Sequence, residues 1–330
     1  MHLLVRQHLQ GTRSEGGQVA SCLRALALTL VGAALACCHA APHALVLQTD
    51  FGTRDGAVST MRGVALGVAA DLPVHDLTHE IPPFDIWQAA CRLQQTAPYW
   101  PPGSVFVSVV DPGVGTDRLP IVARDGQGRC YVTPDNGTLT LLLEDGVVQD
   151  ARIIDTTRHR RPGSADSHTF HGRDVFALVG AELASGRVRF EEVGNAIAVA
   201  QLVRIDHPRA EATQSNGQTT LRGFIPVLDV QYGNVWTNLP RLLLAQHGVR
   251  LGSVLRVRIL DGEREAFVGE MPYVRTFGDV AIGAPLAYDN SLGNLAVALN
   301  AGDFAKVHGV GSGPRWRIEV TWAGPSRPER

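Results

Sequence analysis

The segment Val109-Val110-Asp111-Pro112-Gly113-Val114-Gly115 constrains the fold of this chain more than any other stretch. An apolar, β-branched run leads into it and predicts a buried strand. The Pro-Gly pair then forces a turn, so Asp111 is expected at the carboxyl end of the strand, where open α/β sheets bind ligands. Arg118 lies close enough in sequence to favour an ionised carboxylate, which suits a water or a sugar hydroxyl. A strand-to-loop turn with a surface ion pair is the alternative.

The same pattern, a strand that ends in an acid, opens the folded part of the chain. Residues 44–49 predict a strand that leads into Asp50, and helical and strand-like segments then alternate up to the central strand. This alternation predicts an N-terminal α/β domain, residues 43–208, whose largely parallel sheet is covered on both faces.

The second half of the chain has a different pattern. Residues 209–218 are polar and are expected to form a linker. Beyond them, short strands and turns with few helical periods predict a small C-terminal β-barrel, residues 219–330. The fold predicted for the whole chain is therefore α/β, with a second domain of β structure.

Composition argues against several classes of function. The formal net charge of -2 gives no footprint for a nucleic-acid partner. Lys306 is the only lysine, which argues against a phosphate-binding P-loop and against Schiff-base chemistry. No His or carboxylate motif has a known metal-ligand spacing, so no metal site is predicted. Cys91 and Cys130 lack such spacing as well and are expected to be buried free thiols.

Residues 1–42 form a separate segment. Three arginines precede an apolar run, residues 25–36, that is too short to span a bilayer and is followed by small residues. This pattern predicts a signal peptide or, because Cys37 follows Ala34-Leu35-Ala36, a lipoprotein-type leader with a lipid anchor. An exported, periplasmic or lipid-anchored protein is then expected. The alternative is a disordered extension from a wrongly assigned start, which would leave the protein cytoplasmic.

Two further segments carry polar groups suited to a ligand. His171 and Gly172 open an apolar helix, so the imidazole can project from a helix amino terminus towards an anion or hydroxide. A histidine that caps the helix is the alternative. Residues 229–238 place aromatic and amide side chains around a glycine, which suits stacking and hydrogen bonding to a planar base. A β-turn with core aromatics fits the same segment.

Six motifs occur in an order typical of one family: Thr49-Asp50-Phe51-Gly52, Asp76-Leu77-Thr78-His79, Val110-Asp111-Pro112-Gly113-Val114-Gly115, Pro134-Asp135-Asn136-Gly137, Phe170-His171-Gly172-Arg173-Asp174 and Gly233-Asn234-Val235-Trp236-Thr237-Asn238. The chain resembles the S-adenosyl-L-methionine hydrolases, or hydroxide adenosyltransferases, which are related to the fluorinating and chlorinating adenosyl transferases. The resemblance covers about residues 44 to 322. It implies an N-terminal α/β domain, a C-terminal β-barrel and a homotrimer, with each site between one subunit's first domain and a neighbour's second.

The resemblance also implies a reaction. Water or hydroxide displaces methionine at the ribose C5′ atom of S-adenosyl-L-methionine and yields adenosine, with no cofactor. The family's Asp-Arg-His triad falls on Asp111, Arg118 and His171. Asp111 and His171 would hold and polarise the water, and Arg118 would fix the aspartate.

The substrate contacts are implied in the same way. Asp50 matches the carboxylate that binds the ribose diol, and Phe84 takes the place of an aromatic that packs on the sugar. Asp55 and Asp229 resemble contacts to the methionine ammonium group. The adenine-side residues are matched by Tyr232, Asn234 and Trp236.

The resemblance bears on the nucleophile at two positions. Halogenating relatives carry a tyrosine where Asp111 stands, and fluorinating ones a serine where Gly172 stands, which places Gly172 beside the substrate. A carboxylate facing the nucleophile pocket would repel a halide, so water is favoured. Two alternatives stay open: an exported protein that binds an adenosyl ligand with little turnover, and a halogenase that uses S-adenosyl-L-methionine.

Overall fold

The computed structural model describes residues 43–215 and 218–323. The predicted leader, with Cys37, lies outside the described residues. No helix within the described ranges is long and apolar enough to cross a lipid bilayer.

The N-terminal half alternates strands and helices, as its hydrophobic periodicity predicts. It contains β1 (Leu45–Thr49), α1 (Ala57–Val68), β2 (Val74–Thr78), α2 (Ile86–Thr96) and β3 (Val105–Val109). The next elements are β4 (Pro120–Asp125), β5 (Cys130–Pro134), α3 (Thr140–Glu144) and β6 (Val148–Ile153). The half ends with α4 (Ala177–Ala184) and β7 (Ala196–Ile197).

These strands form one sheet with the order β2-β1-β3-β5-β4-β6-β7. The pairs β1–β2, β1–β3 and β3–β5 are parallel, whereas the pairs that involve β4 or β7 are antiparallel. The sheet is therefore parallel-rich but mixed, because a tight turn rather than a helix joins β4 to β5. This turn, around Asp125-Gly126, makes β4 and β5 a hairpin.

Both faces of the sheet are covered, as expected. Side chains along a strand point alternately to its two faces. Leu45 and Leu47 of β1 belong to one core with α1 and α4, whereas Val46 between them belongs to a second core with α2 and α3. Every residue of β1 and β3 is consequently buried. The polar groups that a ligand could reach therefore lie in the loops at the strand ends.

The C-terminal half is dominated by strands. They are β8 (Glu211–Ser215), β9 (Gln218–Ile225), β10 (Val227–Asp229), β11 (Asn234–Pro240) and β12 (Val254–Asp261). They continue with β13 (Arg264–Pro272), β14 (Pro285–Asp289), β15 (Asn294–Leu299) and β16 (Gly313–Trp322). Two short helices, α5 (Arg241–Gln246) and α6 (Phe304–His308), lie between strands.

The predicted small barrel is not confirmed. The strands form two antiparallel sheets, with the orders β10-β11-β15-β14 and β13-β12-β16-β9-β8, and an isolated bridge between Tyr273 and Ala287 joins them. The predicted linker also differs from the structure, since its residues 211–215 form β8 and pair with β9. Polar residues suit this position because an edge strand exposes much of its surface to solvent.

The two halves meet along α2. Trp87 Nε1 donates a hydrogen bond to the carbonyl of Pro226 at 3.0 Å, and Arg92 Nη2 donates to the carbonyl of Leu228 at 2.7 Å. Cys91 of α2 and Cys130 of β5 are buried free thiols, as predicted. Burial raises the pKa of each thiol to about 12, so neither is a thiolate at neutral pH.

Candidate active site

Asp50 and Asp111 follow neighbouring parallel strands. Thr49 at the end of β1 lies opposite Val109 at the end of β3, and β2 lies on the other side of β1. The strand order therefore reverses beside β1, and ligands of α/β sheets bind at the carboxyl ends of strands at such a point. The structure brings together the two acids that the sequence placed at strand ends.

Asp111 is held by a two-pronged contact from Arg118. Arg118 Nε donates to Asp111 Oδ1 at 2.7 Å, and Arg118 Nη2 donates to Asp111 Oδ2. The side chain of Asp111 is only 4% exposed and that of Arg118 only 10% exposed. The Arg118 guanidinium lies 5.4 Å from the ring centre of Phe176. The pair is thus neither a surface ion pair nor a mobile one, because a planar fork and a low exposure both fix its geometry.

His171 stands directly before a π-helical turn, Gly172–Phe176, that leads into α4. Its Nδ1 atom lies 3.4 Å from Arg118 Nη2. Because a guanidinium can only donate, Nδ1 accepts and the ring proton lies on Nε2. Burial, together with the positive charges of Arg118 and Arg160, holds the pKa of His171 below its usual value. The imidazole is therefore neutral at neutral pH.

These groups meet at a cavity of about 240 Å³, termed here the strand-end cavity. Its lining includes Asp50, Phe84, Asp111, Phe170, His171 and Gly172. His171 Nε2 is buried and has no hydrogen-bond partner among the described residues, so its proton is available to a molecule in the cavity. A Cβ atom on Gly172 would lie 3.2 Å from the ring of Phe51, so a larger residue there would require the ring to shift.

Asp50 and Phe84 form the opposite side of the strand-end cavity. Asp50 Oδ2 accepts a hydrogen bond from the backbone N–H of Phe84 at 2.9 Å. Phe84 has a φ of 69°, an unfavourable value for a residue with a side chain, and the residue is 70% exposed. A strained backbone that presents a bare aromatic ring beside a carboxylate is typical of a ligand site.

The other predicted ligand residues lie elsewhere in the chain. Asp229, Tyr232 and Asn234 line a separate cavity of about 700 Å³, the C-terminal cavity, together with residues such as Tyr288 and Asp303. Asn234 Nδ2 donates to Asp229 Oδ2 at 3.1 Å. The residues that line the strand-end cavity lie between positions 50 and 172, and those of the C-terminal cavity between positions 229 and 303. Within one chain, the two groups of predicted residues do not share a cavity.

Two of the predicted substrate-binding residues line neither cavity. Trp236 lines a small cavity of about 100 Å³ between α2 and the C-terminal half, and its Nε1 is buried with no partner among the described residues. Asp55 is exposed, and its Oδ1 accepts a hydrogen bond from the N–H of Ala57 at the start of α1.

Asp111 and Asp174 are both paired with arginines of the protein. Asp174 is fully buried and accepts hydrogen bonds from Arg161 and from both prongs of Arg173. Within the described ranges, no group of three or more His, Cys, Asp or Glu side chains could hold a metal ion.

Two features of the site were not anticipated from the sequence. Arg160 lies close enough to His171 to lower its pKa, although the two residues are separated by a loop. Thr49 and His79 are hydrogen-bonded beneath Asp50, at 2.8 Å. His79 belongs to one of the family motifs, but nothing in the composition of that motif indicates a contact with β1.

Comparisons with known proteins agree with the motif order. The model of the SAM hydroxide adenosyltransferase N-terminal domain matches residues 45–194, and that of the C-terminal domain matches residues 223–317. A protein of Salinispora tropica named (R)-S-adenosyl-L-methionine hydrolase is 38% identical over 273 residues, which cover 82% of this chain and 95% of that protein. A protein of Thermus thermophilus with the same name is 36% identical over 276 residues, covering 82% and 97%.

More distant and structural matches extend the comparison. A fluorinase of Actinopolyspora mzabensis is 27% identical over 299 residues, covering 83% of this chain and 96% of that protein. The crystal structure of an uncharacterized conserved protein from Thermotoga maritima superposes with a TM-score of 0.73 at 32% identity, covering 84% and 99%. The chain belongs to the SAM hydroxide adenosyltransferase family. The family resemblance inferred from the motifs is thereby confirmed.

Proposed function

We propose that this chain hydrolyses S-adenosyl-L-methionine to adenosine and L-methionine, by attack of water or hydroxide on the ribose C5′ atom. The observation that carries the proposal is the arrangement of Asp111, Arg118 and His171 at the strand-end cavity. The curated relatives named (R)-S-adenosyl-L-methionine hydrolase, which align with most of this chain, support the same activity.

The triad suits a water nucleophile. Arg118 fixes the Asp111 carboxylate, whose remaining lone pairs can accept a proton from a water in the cavity. His171 is neutral and offers its Nε2–H, so it donates a hydrogen bond to the same water and orients it. An acceptor and a donor on either side of one water fix the direction of its lone pair, which favours attack along a single line.

The bond changes balance without a metal or a cofactor. The oxygen of water forms a bond to C5′ while the C5′–S bond breaks, and sulfur keeps the electron pair and leaves as the neutral thioether of methionine. The proton lost from water passes to Asp111 or to solvent. Because the substrate is a sulfonium cation, the carboxylates of Asp50 and Asp111 attract it, whereas they would repel a halide. This charge favours hydrolysis over halogenation.

The remaining ligand contacts complete the proposal. Asp50 would bind the ribose diol, and Phe84 and Gly172 would pack against the sugar. The methionine ammonium group would meet Asp55 and Asp229, and the adenine would meet Tyr232, Asn234 and Trp236.

A homotrimer would bring these contacts together. The strand-end cavity, at about 240 Å³, is below the usual range for a ligand of this size, roughly 300–1,000 Å³. The larger C-terminal cavity belongs to residues of the other half of the chain. Both facts support a site built from the N-terminal half of one subunit and the C-terminal half of a neighbour. Export through the leader rests on the sequence of residues 1–42 alone.

Turnover of S-adenosyl-L-methionine tests the proposal. Protein lacking residues 1–42 is incubated with the substrate, with and without chloride, and the products are separated by chromatography. Equal amounts of adenosine and methionine, unaffected by chloride, are expected. Tight binding of the substrate without products would instead favour the binding protein, and a chlorinated nucleoside would favour a halogenase.

A further inference from the structure

A series of hydrogen-bonded side chains runs beneath the strand-end cavity, buried at Thr49 and His79 and exposed at Asp76. Thr49 Oγ1 lies 2.8 Å from His79 Nδ1, and His79 Nε2 lies 3.0 Å from Asp76 Oδ1. A hydroxyl, an imidazole and a carboxylate in this order resemble a catalytic triad. Thr49 is completely buried, however, and is not among the residues that line the cavity. A substrate cannot reach the Thr49 hydroxyl, so Thr49 does not act as a nucleophile.

The hydrogen bonds of the chain have one consistent direction. The backbone N–H of Phe51 donates to Thr49 Oγ1 at 3.2 Å. The Thr49 hydroxyl then donates a hydrogen bond to His79 Nδ1, and His79 Nε2–H donates a hydrogen bond to Asp76. Asp76 also accepts a hydrogen bond from Arg62. Thr49 and His79 are buried and every donor between them and Asp76 has an acceptor, so this inner part of the series is held rigidly.

Thr49 and His79 both form hydrogen bonds with the backbone of the turn that contains Asp50. The bond from the Phe51 N–H to Thr49 Oγ1 closes a turn with Asp50 at its centre. The backbone N–H of Gly52 donates to the carbonyl of His79 at 2.8 Å, which ties the end of the same turn to the same histidine. The turn from Asp50 to Gly52 therefore positions the Asp50 carboxylate, which accepts a hydrogen bond from the N–H of Phe84.

We propose that Thr49 and His79 are positioning residues for substrate binding, which hold the turn from Asp50 to Gly52 so that the Asp50 carboxylate meets the ribose diol. The inference rests on the proposed function, in which Asp50 binds that diol. Neither residue touches the substrate. Their effect is therefore expected on the part of the binding energy that depends on the diol.

Two nucleosides separate this role from general support of the fold. The dissociation constants of adenosine and of 2′,3′-dideoxyadenosine, which lacks the diol, are measured by calorimetry on wild-type protein and on Thr49→Val. We expect Thr49→Val to weaken adenosine about tenfold, the effect of one lost hydrogen bond, and to leave dideoxyadenosine unchanged. Thr49→Ser, which keeps the hydroxyl, should restore adenosine binding.

Two further variants complete the experiment. Thr133→Val removes another fully buried hydroxyl from the same sheet, one that donates to the carbonyl of Pro134, and should leave both constants unchanged. His79→Gln breaks the chain one residue further from Asp50 and should repeat the selective loss, which keeps the test valid if Thr49→Val does not fold.

Three outcomes would overturn the proposal. They are an equal loss of both ligands in Thr49→Val and His79→Gln, no loss in either variant, and wild-type protein that binds adenosine no better than dideoxyadenosine. Turnover of S-adenosyl-L-methionine by wild-type protein is measured in parallel. Wild-type protein that discriminates the diol but releases no products would remove the hydrolase proposal and leave the positioning role intact.

Discussion

Arg118 holds both oxygens of the Asp111 carboxylate, with Nε 2.7 Å from Oδ1, and the same guanidinium lies 3.4 Å from Nδ1 of His171. One cation therefore sets the orientation of both groups that face the strand-end cavity. It fixes the carboxylate by a planar fork and fixes the tautomer of the imidazole, because it can only donate. The site depends on the shape of this guanidinium as well as on its charge.

Arg118→Lys tests that dependence. Lysine keeps the positive charge but cannot donate two parallel hydrogen bonds, so we expect kcat for S-adenosyl-L-methionine hydrolysis to fall about ten- to a hundredfold, roughly 1.4–2.8 kcal/mol. Arg209→Lys is the matched control, since Arg209 forms a similar fork on Glu144, with both contacts at 2.7 Å, away from the cavities. An unchanged kcat in Arg118→Lys would mean that charge alone is sufficient.

The pH dependence of kcat/KM tests the state of His171. Burial, then Arg118 and Arg160, lower the pKa of His171 from 6.5, so the ring stays neutral until the pH falls below that value. The activity should therefore be lost on the acid side only below about pH 6.5. Arg160→Gln removes a positive charge and should move this loss to higher pH, whereas Arg158→Gln should not. An acid-side loss of activity at the same pH in Arg160→Gln and in wild-type protein would show that Arg160 does not lower the pKa of His171.

Phe84 is expected to lower the stability of the fold through its backbone conformation and to strengthen ligand binding through its ring. Its φ of 69° suits glycine, so we expect Phe84→Gly to have a free energy of unfolding about 1 kcal/mol greater than that of Phe84→Ala. Both variants should bind adenosine more weakly than wild-type protein because they lack the ring. Tyr99, also exposed but without a positive φ, is the control, and there alanine should be the more stable. Chemical denaturation measures all four variants.

Gly233 tests the packing at the C-terminal cavity. Its φ is 68°, and a Cβ atom would lie 1.8 Å from Asp303 Oδ1, which caps α6 by accepting the N–H of Lys306. Gly248 also has a positive φ, 85°, but its Cβ would meet open space. Gly248→Ala should cost about 1 kcal/mol of stability, and Gly233→Ala should cost at least about 1 kcal/mol more, because the cap is displaced. Equal costs in denaturation would show that Asp303 moves aside freely.

The strand-end acids could be predicted because their signals are local. A β-branched run followed by an acid and a Pro-Gly turn defines a strand end within ten residues, and Arg118 lies only seven positions after Asp111. The motif order likewise identified the family without any structure. Short-range patterns of this kind do not depend on how distant strands pair.

The features that escaped prediction depend on long-range pairing. Alternating strands in the second half did not reveal the strand orders of the two antiparallel sheets, since the sequence pattern of a strand does not specify its partners. The polar residues of β8 resembled a linker because an edge strand shares that composition. The contact between Thr49 and His79 joins positions 30 residues apart, and neither residue type alone signals it.

Turnover by variants of Asp111 and His171 tests whether these two side chains activate the water. Wild-type protein, Asp111→Ala and His171→Ala are incubated with S-adenosyl-L-methionine, and adenosine and methionine are followed by chromatography, with adenosine binding as the check that each variant is folded. We expect equimolar products from wild-type protein and at least a hundredfold slower release, about 2.8 kcal/mol, from each variant that still binds adenosine. Product release by both variants at the wild-type rate would contradict this expectation.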